Sequence, residues 1–454
     1  MSHLLIIGGS DAGINAALRA REMDSSMDIS VLVADRFPNY SICGLPFYLS
    51  GEVPDWQTLA HRTIEEIERQ AIRLWLGHRA VNIDPPNKTV TAVNQESQPR
   101  RLNYDRLIIA TGAVSARPTL AGLDLPGVFH LRRMGDGFSI ERYMSARHPE
   151  SAIILGSGYI GLEMADALTR KGLTVTLLNR SGRILTELDP ELGDMIRGEL
   201  SKHGVGVVDR IDITSIEKKD QKLTVRNSQS VPLESDLVLV ATGVAPETTL
   251  AGKAGVVTGI RQAIQVNRAM ETNIKDIYAA GDCVETWHRL LNKYAYLPLG
   301  TTAHKQGRVA GENAAGGSQE FSGTLGTQVV KIFDLVVART GLLDKEALEA
   351  GFDPLTVKME TWDHKVYYPG ASSLHIRLTG DRKTKRLLGA QMIGSYGAEV
   401  SKRLDILATA LFNGMTVESL NHLDLSYTPP LSSPWDPVQL TAQAWSLEQK
   451  FFCH

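Results

Sequence analysis

Cysteine is scarce in this chain. Three occur in 454 residues, Cys43, Cys283 and Cys453. That is too few to staple a fold, and no two lie close enough in sequence to form a redox pair across a short loop. Long apolar runs are missing as well. None reaches the ~18 residues that a membrane-spanning helix needs, and the chain enters the strand-like Leu4-Leu5-Ile6-Ile7 almost at once. Neither a secretory leader nor a membrane span is therefore expected. Excess charge is absent too. A formal net charge of −3 offers no electrostatic case for nucleic acid or an anionic membrane. Twelve histidines show no metal-ligand spacing. His61, His288, His304, His364 and His375 are scattered and read as ordinary surface or core residues, with His364 worth testing because Tyr367-Tyr368 follows it. The expected setting is reducing and cytoplasmic, with no nucleic-acid or membrane partner.

What the chain does have is glycine, 40 residues of it, concentrated in a few motifs and not spread as low complexity. Two motifs are near-copies. Leu4-Leu5-Ile6-Ile7-Gly8-Gly9-Ser10-Asp11-Ala12-Gly13 and Ala152-Ile153-Ile154-Leu155-Gly156-Ser157-Gly158-Tyr159-Ile160-Gly161 each place four apolar residues before a glycine turn and a small-residue helix. Such a turn lets a pyrophosphate approach the backbone at a helix N-terminus. In the first copy Ser10 replaces the middle glycine, and Asp35, with Arg36 after it, closes the next strand where a ribose hydroxyl would be held. In the second copy the next strand ends in Asn179-Arg180, with Arg183 nearby. No carboxylate stands there for a 2′-hydroxyl, and guanidinium groups suit a 2′-phosphate, so NADPH is favoured over NADH. A merely solvated turn is the bland alternative. Ala110-Thr111-Gly112 and Ala241-Thr242-Gly243 end two further apolar strands, and Ala279-Ala280-Gly281-Asp282 ends another; Asp282 there can accept hydrogen bonds from a sugar-alcohol tail, although such a Gly-Asp end taken alone is more often a simple turn.

Cys43 stands in Asn39-Tyr40-Ser41-Ile42-Cys43-Gly44, just past the strand that ends at Asp35. The apolar stretch from Leu45 to Leu49, if helical, puts the sulfur at a helix N-terminus, where the macrodipole favours thiolate. With no neighbouring cysteine, such a thiolate would cycle through a mixed disulfide or a sulfenic acid. A buried, inert thiol is the competing reading. Cys283 reads as packing. Cys453, beside His454 in the terminal tail, has a frayed end as its default reading.

Together these motifs resemble the flavoprotein disulfide reductases (pyridine nucleotide–disulfide oxidoreductases). Within them the chain is similar to the single-cysteine branch of coenzyme A disulfide reductase, NADH peroxidase and NADH oxidase. The resemblance covers essentially the whole chain. It implies an α/β fold: two Rossmann-like dinucleotide-binding domains, for FAD (1–113 and 247–322) and NAD(P)H (114–246), and a C-terminal α+β dimerisation domain (323–454). It implies FAD binding by Gly8, Gly9, Ser10, Ala12, Gly13, Asp35, Arg36, Ser41, Ala110, Thr111, Gly112, Asp282 and the helix start Pro298-Leu299-Gly300-Thr301. NADPH (or NADH) would lie on Gly156, Gly158, Tyr159, Ile160, Gly161, Asn179, Arg180 and Gly243, with Glu163 beside the flavin near the nicotinamide.

The resemblance further implies a homodimer whose partner subunit brings Tyr368 and Tyr427 over Cys43, where a phenol can protonate a leaving thiolate; interface packing is the alternative. No rhodanese-like extension is expected. The implied activity is NAD(P)H-dependent reduction of a small disulfide or persulfide, such as coenzyme A disulfide, through Cys43. Two other readings stay open: a peroxide or oxygen reductase working through a Cys43 sulfenic acid, and an electron-transfer reductase for a protein partner with Cys43 idle. Three departures bear on the choice. Asp11, expected with Arg19 and Arg21 on the substrate side of the site, stands where the peroxidases and oxidases carry a histidine. The Ser-Phe-x-x-Cys pattern of the coenzyme A enzymes is altered at Asn39-Tyr40-Ser41-Ile42-Cys43. Arg19 and Arg21 would meet coenzyme A phosphates at the site mouth, but Glu22 lies beside them.

Overall fold

The computed structural model describes residues 2–229 and 231–451; Cys453 and His454 lie outside the described residues. Three five-stranded sheets organise the chain. The first runs in the order Ile277–Ala279, Arg106–Ile109, His3–Ile7, Asp28–Val33, Ile72–Leu76, all parallel. The second, also parallel, runs Gly206–Asp209, Thr174–Asn179, Ser151–Leu155, Leu237–Val240, Val128–Phe129. In both, the strand before the glycine turn is central, and its four apolar residues are buried on both faces, as parallel sheets require. The two crossovers between these sheets pair with each other, Ala113–Ser115 antiparallel to Val244–Pro246.

The third sheet is antiparallel: Gln328–Ile332, Leu335–Gly341, Leu387–Ser395, Ser373–Asp381, Pro354–Trp362. Strand alternation splits its side chains between two cores. Val336, Ala338, Ile376, Leu378 and Met392 pack with the helices Val400–Phe412 and Pro437–Phe451. Val330, Ile332, Val337 and Ile393 instead join the core around the second parallel sheet. The third unit is thereby fixed against the second through an apolar contact.

The α/β class and the three-sheet layout agree with expectation. One close approach came without a sequence signal. The helix Gly300–Ala314 crosses the first helix, Asp11–Met23, so tightly that a Cβ on Gly307 or Gly311 would lie 2.2 Å from the Ala12 carbonyl oxygen or 2.1 Å from that of Ala16.

Candidate active site

The two glycine turns explain their own residue choice. Gly8 and Gly156 have φ of +118° and +113°, and a Cβ on them would meet the carbonyl oxygens of Ala110 and Ala241 at 2.0 and 2.4 Å. Gly13 and Gly161 let each helix pack on its own turn, with the Gly8 and Gly156 oxygens 1.9 and 2.0 Å from where a Cβ would sit. The middle position is different. Ser10 and Gly158 both have ordinary extended backbone, φ −93° and −82°. A serine therefore costs the first turn no backbone strain. A Cβ on Gly158 would meet nothing within 4 Å although this residue lines the main cleft, so that surface is left open to a ligand. The fit to a bound dinucleotide phosphate is good at this turn.

That cleft, about 2500 Å³, runs from the second glycine turn past Cys43 to Pro298–Thr302. Tyr159, Ile160, Glu163, Asn179, Arg180 and Gly243 are on its walls. The first glycine turn borders it near Gly300, whose Cβ position is 3.9 Å from Asp11 Oδ2. Asp35 accepts a hydrogen bond from the Phe37 amide at 2.9 Å through one carboxylate oxygen; burial raises its pKa. Thr111 Oγ1 donates to the Glu247 carbonyl at 2.5 Å, fastening the end of its strand to the returning crossover.

Cys43 lies in a short 3₁₀ turn, Ile42–Gly44, directly before the helix Leu45–Ser50. Its loop is pinned from both sides. The Asn39 amide donates to the Gly9 carbonyl at 2.7 Å, the Ser41 amide donates to the Leu59 carbonyl at 2.8 Å, and Phe37 sits edge-on to Tyr40, Trp56 and Phe138. The thiol opens onto the cleft but sits deep within it. Burial pushes its pKa up, Glu163 and Asp11 push it further, and Arg132 opposes them. The helix is present as expected, but the surroundings of the thiol do not favour the thiolate: desolvation leads, and three carboxylates, Glu163, Asp11 and Asp282, add to it. Glu163 itself, crowded by burial and by Asp166, is raised to about 7.

Several expectations need correction. Arg21 is not at the site mouth. Its guanidinium caps the carbonyls of Asp24, Ser25, Gln70 and Ala71 beside a separate depression. Arg19 does line the cleft, but both Glu312 and Glu22 hold it, at 2.7 and 2.8 Å. Asn179 is buried and spent on its own turn, accepting from the Ser181 amide and hydroxyl. Arg183 donates to the Leu188 carbonyl at 2.7 Å. Arg180 alone of the two arginines faces the cleft, and it makes no hydrogen bond or ion pair among the described residues. Cys283 is fully buried against the carbonyls of Ile109 and Ala280, as its packing role requires. Tyr368 and Tyr427 are exposed, on a surface where the Lys365 amide reaches the Pro429 carbonyl at 3.3 Å and Tyr427 bonds Tyr367. The chain thus joins the two tyrosine segments to each other but not to its own Cys43.

Two features escaped the sequence. Arg132 pairs with Asp282 at 2.5 Å and donates to the Ala113 carbonyl at 3.1 Å, which brings a cation to the cleft wall near Cys43. His304 and His61 flank Asp11, so imidazoles stand around the position where a histidine was missed.

Comparison with known proteins fixes the family. Residues 2–307 match the pyridine nucleotide-disulphide oxidoreductase family, and residues 327–437 match its dimerisation domain. The chain belongs to this family. It is an oxidoreductase that uses FAD and a nicotinamide nucleotide. A curated relative, the NAD(P)H sulfur oxidoreductase (CoA-dependent) of Pyrococcus furiosus, is 34% identical over 445 residues, covering 97% of this chain and 98% of that protein. An NAD-dependent persulfide reductase from A. fulgidus superimposes with a TM-score of 0.94 at 36% identity, covering 99% of this chain and 84% of that one. An engineered water-forming NADPH oxidase superimposes with a TM-score of 0.94 at 25% identity, over 100% of both chains. Its substitutions include, at three successive positions, aspartate to alanine, alanine to arginine and methionine to serine. Among the described residues no helix is long and apolar enough to cross a membrane.

Proposed function

We propose that this flavoenzyme uses NADPH to reduce a small disulfide or persulfide of the coenzyme A class, with Cys43 as its single redox sulfur. The observation that carries the reading is the position of Cys43. It is the only described cysteine on the cleft wall, and it shares that wall with Tyr159, Ile160 and Glu163 of the nicotinamide-side helix. The P. furiosus and A. fulgidus relatives, named for CoA-dependent sulfur and persulfide reduction, support the substrate class.

The first glycine turn, Asp35, Asp282 and Pro298–Thr301 would hold FAD, and Gly156–Gly161 with Arg180 and Ser181 would hold NADPH. Bound there, FAD would supply a two-electron relay between the nicotinamide and sulfur. The chain's own chemistry is thiol exchange. Cys43 thiolate attacks one sulfur of R–S–S–R′, forming the Cys43–S–S–R mixed disulfide and releasing R′–S⁻. A phenol from the partner subunit, Tyr427 foremost and Tyr368 behind it, supplies the proton to that thiolate. Two electrons and one proton then cleave the mixed disulfide to R–SH and Cys43 thiolate. Arg132 supports the thiolate while Glu163, with a pKa of about 7, is poised to hold or release a proton at neutral pH.

NADPH is favoured by the free Arg180 guanidinium in the cleft. The run Asn179-Arg180-Ser181 also lacks an acid and places serine after arginine, as the engineered NADPH oxidase does at three successive positions.

The test is NADPH consumption under argon with coenzyme A disulfide, a coenzyme A persulfide or hydrogen peroxide. The proposal expects turnover with the first two, and Cys43→Ser should lower it on the order of 10³-fold or more. Faster turnover with peroxide would move the assignment to a sulfenic-acid peroxidase. Unchanged turnover in Cys43→Ser would leave only electron transfer to another acceptor.

A further inference from the structure

We propose that Arg403 is a positioning residue for the proton donors of the disulfide step: together with Asp363 and His364 it fixes the two segments that carry Tyr368 and Tyr427. The inference rests on the reading that these phenols protonate the leaving thiolate.

Arg403 stands on the helix Val400–Phe412 and is 5% exposed. Burying a guanidinium is costly unless its charge is paired and its N–H groups are met. Asp436 pairs the charge, with Arg403 Nε 3.2 Å from its Oδ2. The remaining contacts go to backbone. Nη1 donates to the Ala398 carbonyl at 2.7 Å, and Nη2 donates to both the Asp363 carbonyl at 2.6 Å and the Leu431 carbonyl at 3.2 Å.

The last two carbonyls border the tyrosine segments. Asp363 opens the loop that bears Tyr367 and Tyr368. Its amide donates to the Ser372 carbonyl at 3.0 Å and its carboxylate accepts from the Ser372 amide at 2.8 Å, so the loop is closed at its base. Leu431 ends the turn that follows Tyr427, its amide donating to the Thr428 carbonyl at 3.0 Å. One planar fork thus holds the bases of both segments, and the bond from the Lys365 amide to the Pro429 carbonyl ties them a second time.

A line of contacts continues to one of the phenol rings. Asp363 Oδ1 lies 3.0 Å from His364 Nδ1 and orients the imidazole, which sits edge-on to Tyr368 with ring centroids 5.9 Å apart. Moving the Asp363 backbone therefore moves the surface on which Tyr368 rests. Proton delivery to a leaving thiolate needs hydrogen-bond distance, and a misplacement of about 1 Å costs on the order of 10²-fold in rate. Lysine is the informative substitution at Arg403. It keeps a cation opposite Asp436 but lacks the planar fork that serves two carbonyls at once.

The experiment uses the full-length, FAD-loaded protein in anaerobic rapid mixing. Reduction by NADPH and reoxidation of the reduced enzyme by coenzyme A disulfide are followed separately. Arg403→Lys is expected to leave the NADPH step within about twofold and to slow the disulfide step about tenfold to a hundredfold. In the Tyr368→Phe/Tyr427→Phe background, where these two phenols are gone, the same substitution should cost no more than about twofold further. His364→Ala carries the test if Arg403→Lys loses flavin or fails to fold, with the same split between the two steps expected. Equal slowing of both steps, an undisturbed disulfide step, or losses that multiply in the phenylalanine background would each reject the positioning role and leave the tyrosine reading intact. A wild-type disulfide rate in Tyr368→Phe/Tyr427→Phe would instead reject that reading, and the proposal with it.

Discussion

At the scale of single residues, the chemistry of this chain turns on opposing charges around one thiol. Burial, Glu163 and Asp11 raise the Cys43 pKa, and Arg132 is the cation that works against them. The group is a thiol whose pKa is raised, so its thiolate fraction grows with pH until that pKa is passed. Alkylation of the reduced enzyme by iodoacetamide is expected to accelerate continuously from pH 7 to pH 9. Arg132→Met should slow it about threefold to tenfold at pH 8 and move the profile to higher pH, in line with a shift of up to about one pKa unit. Arg132→Lys should restore most of the rate, and flavin content must be checked alongside because Arg132 also holds Asp282. An unshifted profile in Arg132→Met would remove Arg132 from this role. Cys43 was legible in the sequence because an isolated cysteine after an acidic strand end is itself a pattern. Arg132 was not: its partner Asp282 is 150 residues away, and an ion pair leaves no local spacing to read. Asp11 was read as the loss of a histidine, whereas the fold places His61 and His304 against it from two distant segments.

At the scale of elements, the glycine turns were readable from spacing, but the reason for each glycine required the backbone. Three positions in the second turn predict two different outcomes. Gly156→Ala and Gly161→Ala force a Cβ onto a carbonyl oxygen at 2.4 and 2.0 Å, so both should destabilise the fold by about 1–3 kcal/mol or more. Gly158→Ala meets nothing within 4 Å. It should leave the melting temperature unchanged while raising KM for NADPH about tenfold or more, by occupying the space through which a pyrophosphate approaches. A melting loss in Gly158→Ala equal to that of Gly161→Ala would contradict this division. The same logic explains why Ser10 is tolerated in the first turn, since only the outer positions demand a glycine. Gly307 and Gly311 were not legible at all. They sit mid-helix, where sequence suggests a weakness, and only the crossing against Ala12 and Ala16 shows what the missing Cβ permits.

At the scale of the whole molecule, the third sheet decides whether a single chain is a complete enzyme. Its match to the family's dimerisation domain was legible from motifs, and alternation along its strands locks it to the second sheet's core. The tyrosine segments were legible as sequence but not as geometry, because the chain folds them against each other and not against its own Cys43. Tyr367, Tyr368 and Tyr427 stand exposed together with Leu431 and Trp435, an apolar and aromatic surface of the kind that is covered in assemblies. A shared site has a consequence that a self-contained one lacks. Take Cys43→Ser in one subunit and Tyr427→Phe in the other. Each homodimer is impaired at both sites. The mixed dimer rebuilds one intact site, in which the Cys43 of the Tyr427→Phe subunit meets the unaltered Tyr427 of the partner subunit. Co-expression with two affinity tags and isolation of the mixed species should therefore recover about half the wild-type rate per dimer, as two independent sites require. Activity no higher than the mean of the two mutant homodimers would place Tyr427 outside a shared site. If Tyr427→Phe alone retained full activity, the phenol would have no part in protonating the leaving thiolate, and its exposure would reduce to interface packing.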